Sequence, residues 1–95
     1  MSVAICRLRL RLPENSSLKG KRQVLKSIQQ RLHNRFNVSV AETGSNDLWQ
    51  IADLEIAAAS SDATHASEVV AKAVDYIETL RLDVEIVEED TEVIA

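Results

Sequence analysis

Four cations fall within eight residues of one another in the stretch Ser16–Phe36, SSLKGKRQVLKSIQQRLHNRF: Lys19, Lys21, Arg22 and Lys26. In the same stretch Leu18, Leu25, Ile28 and Leu32 recur at helical spacing, so the cations stand in the first turns of an amphipathic helix. The amino end of a helix is the positive pole of its dipole. A cation placed there costs about 0.3–1 kcal/mol at low salt. Backbone N–H groups at a helix start, ringed by ammonium and guanidinium groups, make a phosphate site. Lys19, Arg22 and Lys26 follow i, i+3, i+7 spacing and share a face, and Arg31 and Arg35 extend the charge along the helix. That pattern suits a nucleic-acid backbone. The competing reading is a solvated basic face that pairs with acids elsewhere in the chain.

Such acids exist. Residues 1–36 hold nine Lys or Arg against one acid, Glu14, whereas residues 37–95 hold fourteen acids against Lys72 and Arg81. The net charge of −4 therefore averages a basic half and an acidic half. Either the basic half meets an anionic partner or the halves pair internally.

Arg7, Arg9 and Arg11 form a second basic set. They alternate with Leu8, Leu10 and Leu12 in SVAICRLRLRL, so they lie on the outer face of a strand whose inner face is apolar. Neighbouring strands offer Asp53 and Glu55 on one side and Asp83 and Glu85 on the other. Opposite charges across strands contribute about 0.2–1 kcal/mol per pair. Sheets that bind RNA stack bases on outward aromatics. Here the outer face has none apart from Trp49 at one end, which favours an ion-pair lattice. Val3, Ile5, Ala57 and Val87 are expected on this same face, at the end away from Trp49 and Ile51. With helices on one side only, that apolar end would suit a second copy of the chain. The candidate interface is therefore Val3, Ile5, Arg7, Arg9, Arg11, Trp49, Ile51 and Val87. Trp49 itself either anchors a partner or folds over the end of the sheet and holds a hairpin.

Catalytic chemistry has no legible constellation. Cys6 points inward as a core thiol. His33 and His65 lie near no Ser or Cys in triad spacing, and no Cys, His and acid cluster has metal spacing. An enzyme would require a pocket shared by His65 and an acid such as Asp47. The acids at 88–90 and 92 read as a solubilising end. No metal or cofactor is implied.

The elements that must position these residues follow from periodicity. A strand over residues 2–12 is broken by Pro13-Glu14-Asn15, and Ser16 or Ser17 caps the helix that runs to about His33–Arg35. Strands are expected over Phe36–Thr43 and about Trp49–Ala59, joined through the turn residues Thr43–Asp47. Ser60-Ser61-Asp62 caps a second helix, which carries Ala66, Val69, Val70, Ala73, Val74, Ile77 and Leu80 on one stripe. Leu82, Val84 and Ile86 alternate in a fourth strand. Four one-faced strands and two one-striped helices in the order βαββαβ predict a two-layer α+β domain over residues 1–95. This is the ferredoxin-like plait, with both helices on one face of an antiparallel sheet in spatial order 4-1-3-2. One cysteine and the lack of a long apolar run fit a cytoplasmic domain with no membrane partner.

Three stretches carry a family resemblance. Arg7-Leu8-Arg9-Leu10 leads to Pro13; Ser17-Leu18-Lys19-Gly20-Lys21-Arg22 follows; then come Phe36-Asn37-Val38-Ser39-Val40-Ala41-Glu42 and Asp47-Leu48-Trp49-Gln50. With the length and element order, they resemble the YlxP-like bacterial proteins, a domain family of unknown function. The resemblance implies a ferredoxin-like fold. It also implies a gene neighbourhood shared with a translation initiation factor and ribosome-binding factor A, hence work near RNA. The family usually has Glu where this chain has Gly20, so a capping box with Ser17 is lost and a looser first turn is expected. Two functions stand at this point. One is a non-enzymatic protein that binds RNA or a ribosomal subunit through the first helix; the other is a homodimeric interaction module that uses the open sheet.

Overall fold

In the computed structural model, which describes residues 1–80 and 84–94, the chain folds as β1 (Ser2–Arg11), α1 (Leu18–Arg35), β2 (Ser39–Gly44), β3 (Ile51–Ser60), α2 (Ala63–Thr79) and β4 (Glu85–Ile94). The strands make one antiparallel sheet in the order β2-β3-β1-β4, which is 4-1-3-2 read from the other edge. This is the ferredoxin-like α+β plait.

β1 is central because its inner residues Ala4, Cys6, Leu8 and Leu10 are buried while its outer arginines remain in reach of charged neighbours. They meet Ala52, Leu54, Ile56 and Ala58 of β3 under the apolar stripes of both helices, and all join one core cluster. Each fully buried Leu or Ile contributes about 1.5–3 kcal/mol. Cys6 is fully buried, and burial raises the thiol's pKa. Cys6 is therefore a neutral packing group.

Ser17 caps α1 by accepting a hydrogen bond from Gly20 N at 3.0 Å, and Asp62 caps α2 by accepting from Thr64 N at 3.0 Å. Each side chain satisfies an N–H group that a helix start would otherwise leave unpaired. The first turn of α1 is also closed by Asn15, whose Nδ2 donates to Ser17 O at 2.7 Å. Asn15 can lie there because Gly20 has no Cβ; an added one would overlap Asn15 Oδ1. The expected looseness after the loss of the capping-box Glu is met by a different contact.

Three boundaries differ from the sequence reading, the first being that β2 starts at Ser39 and not at Phe36, which caps the carboxyl end of α1. The β2–β3 connection is six residues, Ser45–Gln50, and β3 starts at Ile51, so Trp49 stands in the loop and not on the strand. Hydrogen bonding explains this: Gln50 O accepts from Leu12 N at 2.8 Å, and the loop carbonyls turn toward α1 instead of pairing across the hairpin. β4 extends to Ile94, so the acids at 88–90 and 92 are strand residues and not a free end. Leu82 and Asp83, expected in this strand, lie outside the described residues.

The register of β4 also moves Val87. Pairing steps by one residue between Arg9 and Leu10, from Glu88 to Ile86, which leaves Val87 as the extra residue of a bulge. Val87 is thus level with the Ile51 half of the sheet and far from Val3. Ile94 takes the place beside Val3.

Candidate functional site

The outer sheet arginines are spoken for. Arg9 Nε donates to Asp53 Oδ1 at 2.8 Å and its Nη2 to Oδ2 at 3.3 Å, a two-pronged pair. Arg7 lies 3.4 Å from Glu55 and 3.2 Å from Glu92, with Asp90 at 3.9 Å, and Arg11 lies 3.6 Å from Glu85. The bulge at Val87 sets Glu88 opposite Arg9 and Asp90 opposite Arg7. The Arg9 hydrogen bond holds the Asp53 carboxyl below its ordinary range, with a further contribution from Ser45 Oγ, which donates to Asp53 Oδ2 at 2.5 Å. Val3 and Ile5 remain half-buried on this face next to Ala57 and Ile94, and Ile51 is half-buried beside Arg11.

The cations of α1 divide into two kinds. Lys21 is 1% exposed, in register with the buried stripe of Leu25, Ile28 and Leu32. Its ammonium donates to Ser45 O at 2.7 Å and to Leu48 O at 2.9 Å. Glu42 Oε2 lies 3.0 Å from it as an ionic contact, off the hydrogen-bonding angle and with no hydrogen bond of its own. A buried ammonium must be paired, and here a carboxylate and two carbonyls pair it. Lys21 is therefore not part of a surface anion site, contrary to its placement in the cation cluster. The signal that separates it was present in the sequence: Lys21 stands four residues before Leu25 and seven before Ile28, on the apolar stripe.

Lys19, Arg22 and Lys26 are exposed, and no carboxylate pairs with them among the described residues. They span about 10 Å of helix axis. Arg22 and Lys26 line a groove of about 490 Å³ between α1 and the edge strand β2, together with Leu25, Gln29 and Glu42. Arg31 is exposed, with Nε donating to Ser27 Oγ at 3.2 Å. Arg35 is occupied differently: its guanidinium stacks over the Tyr76 ring of α2, 4.5 Å from the centroid, and Phe36 meets the same ring edge-on at 5.9 Å. Such a contact contributes about 0.5–1 kcal/mol near the surface. Arg35 serves helix packing more than it lengthens the cation row.

Sequence reasoning found the turn and Trp49 but missed how the loop Ser45–Gln50 is tied to α1. The loop is held from several directions. Lys21 takes two of its carbonyls, Asn15 Nδ2 donates to Trp49 O, and Leu48 N returns to Ser45 O at 3.0 Å. Gln50 Nε2 donates to Pro13 O and Asn15 O, each at 3.2 Å. Ser45 adopts φ 56°, a left-handed conformation that costs a non-glycine residue about 1–2 kcal/mol. The loop presents Leu48 and Trp49, 51% and 54% exposed, over a depression of about 390 Å³. Trp49 thus precedes β3 at the end of the sheet and is about half exposed.

No metal-holding group of three or more His, Cys, Asp or Glu occurs among the described residues, and none of their helices is long and apolar enough to cross a membrane. His65 opens α2 just beyond the carboxyl end of β3, while Asp47 precedes its start, so the ten-residue strand separates them by about 30 Å. They do not share a pocket.

Two comparisons bear on this arrangement. The chain is 41% identical over 63 residues to the uncharacterized protein YlxP of Bacillus subtilis (strain 168), a match that covers 66% of this chain and 68% of that protein. A family model described as "Protein of unknown function (DUF503)" matches residues 3–91, which takes in β1, α1, the Trp49 loop and most of β4. The chain belongs to this family, DUF503, whose function is unknown.

Proposed function

We propose that this protein is a non-enzymatic binding protein that holds RNA or an RNA surface of a ribosomal subunit along the exposed face of α1. Lys19, Arg22 and Lys26 carry the phosphates, and Arg31 continues the row. One observation supports this above the others: among the described residues the ion pairs join six acids of the second half to Arg7, Arg9, Arg11 and Lys21, and the exposed α1 cations have none. A protein that keeps three unneutralised cations on one helix face, the first of them against the helix dipole, gains from an anion that covers them. Lys21 belongs to the scaffold beneath. Binding of this kind is phosphate-led and steeply salt-dependent.

The test is binding of purified ribosomal subunits and of total RNA across a salt series, with the Lys19→Glu, Arg22→Glu, Lys26→Glu variant beside the native chain. Salt-sensitive binding lost in the folded variant is the expected result. Unchanged binding would remove α1 from the assignment.

A second reading draws on the apolar end of the outer sheet, where Val3, Ile5 and Ala57 adjoin the exposed Ile94. A second copy packed there would give a dimer insensitive to salt, visible by sedimentation, with no shift in RNA mobility.

A further inference from the structure

The groove on α1 and the Trp49 loop meet at one atom. Glu42, which lines the groove with Arg22 and Lys26, lies 3.0 Å from the Lys21 ammonium. The same ammonium holds the carbonyls of Ser45 and Leu48, on either side of the loop tip. At the other flank, Asn15 Nδ2 bonds both Ser17 O, at the cap of α1, and Trp49 O. Trp49 is thus fixed at the start of the helix that carries the exposed cations Lys19, Arg22 and Lys26. Trp49 is itself more than half exposed.

An indole held out by a bonded loop is a costly arrangement unless something covers it. Leu48 is exposed beside it and cations follow it along α1. An acidic or apolar peptide would use the cations or the indole. A single nucleic-acid strand uses both, since every base offers a face that stacks on an aromatic ring while its phosphate seeks a cation. Duplexes keep their bases stacked internally and would leave the indole idle.

On the proposed reading of α1 as a phosphate-binding face, we infer that Trp49 is the base-stacking platform of the same site, and that the ligand is single-stranded nucleic acid. The strand sets one base on the indole, over the depression formed by Asp47–Ile51, and runs its backbone past Lys19 into the groove at Arg22 and Lys26. The sheet face takes no part. Its arginines are paired with carboxylates, and its outer aromatics are lacking.

The experiment uses the single tryptophan of the chain as its own reporter. A short oligouridylate, its duplex with oligoadenylate, and inorganic polyphosphate of matched charge are titrated at low salt, with indole fluorescence and anisotropy of the labelled ligands as readouts. The expected result is quenching by the single strand and not by polyphosphate. Trp49→Ala should weaken the single strand by about tenfold and leave polyphosphate unchanged, and Trp49→Phe should restore most of the loss. Equal binding of the single strand by the native chain and Trp49→Ala, or a preference for the duplex, would overturn the stacking role and leave the α1 face standing. Absence of salt-sensitive binding to the oligonucleotide and to polyphosphate alike would overturn both.

Discussion

The ammonium of Lys21 lies 2.9 Å from the carbonyl oxygen of Leu48, 27 residues away, and through it α1 holds the loop that presents Trp49. A cation that reads in the sequence as surface charge is a structural peg. Its neighbours Lys19, Arg22 and Lys26 are left at the surface for another task.

Replacing Lys21 by Met keeps the bulk of the side chain and removes the charge. The Ser45 and Leu48 carbonyls then lose a donor, and Glu42 loses its counter-ion in a partly buried place. We expect a loss of about 2–4 kcal/mol in urea unfolding, toward the range for breaking a buried pair. Adding Glu42→Gln should recover part of that loss, and the two effects should be non-additive in a double-mutant cycle.

Charge reversal at Lys19, Arg22 and Lys26 should leave the fold intact. The carboxylate at position 19 sits in the first turn of α1 and gains about 0.3–1 kcal/mol at low salt, while positions 22 and 26 lie beyond that turn on the exposed face. Thermal unfolding should therefore show no decrease in melting temperature, while binding to a single strand disappears. In the native chain, the three contacts predict a log–log salt slope of about −2 for single-stranded ligand.

Asp53 ties stability to pH. Arg9 and Ser45 hold its carboxyl below the ordinary value, so the folded state binds fewer protons there than the unfolded state. The contribution is complete above the unfolded carboxylate value of about 3.9 and fades as pH falls through the folded value. Asp53→Asn should lower the urea midpoint at pH 7, and the gap to the native chain should close as pH falls below about 4. A gap constant across that range would mean that the Arg9 pair carries none of the acid sensitivity.

Gly20 offers a test of the Asn15 bridge. Gly20→Ala gains about 1 kcal/mol of helix propensity but displaces Asn15 from Ser17 O and Trp49 O, at about 1 kcal/mol per hydrogen bond. The net change in stability should be small or negative, with faster amide exchange in the loop 45–50. In an Asn15→Ala background the same substitution should stabilise by about 1 kcal/mol.

The element order and the core were legible in the sequence because both depend on local period. Alternation in SVAICRLRLRL marks the inner face of β1, and the spacing of Leu25, Ile28 and Leu32 marks the buried stripe of α1. Two layers and right-handed crossovers then leave few arrangements, and the observed strand order is the one expected. Membership of the family was legible as well, from motifs spread along the chain.

What the tertiary structure alone decided was the partner of each charge. Pairing joins residues far apart in sequence, and charge composition does not say which acid reaches which cation. The extension of β4 and its bulge at Val87 set the supposed acidic tail against Arg7 and Arg9. The return of the 45–50 loop onto α1 buried Lys21 and exposed Trp49. A strand's register and a loop's path are settled by long-range hydrogen bonds, which leave no period in the sequence to read.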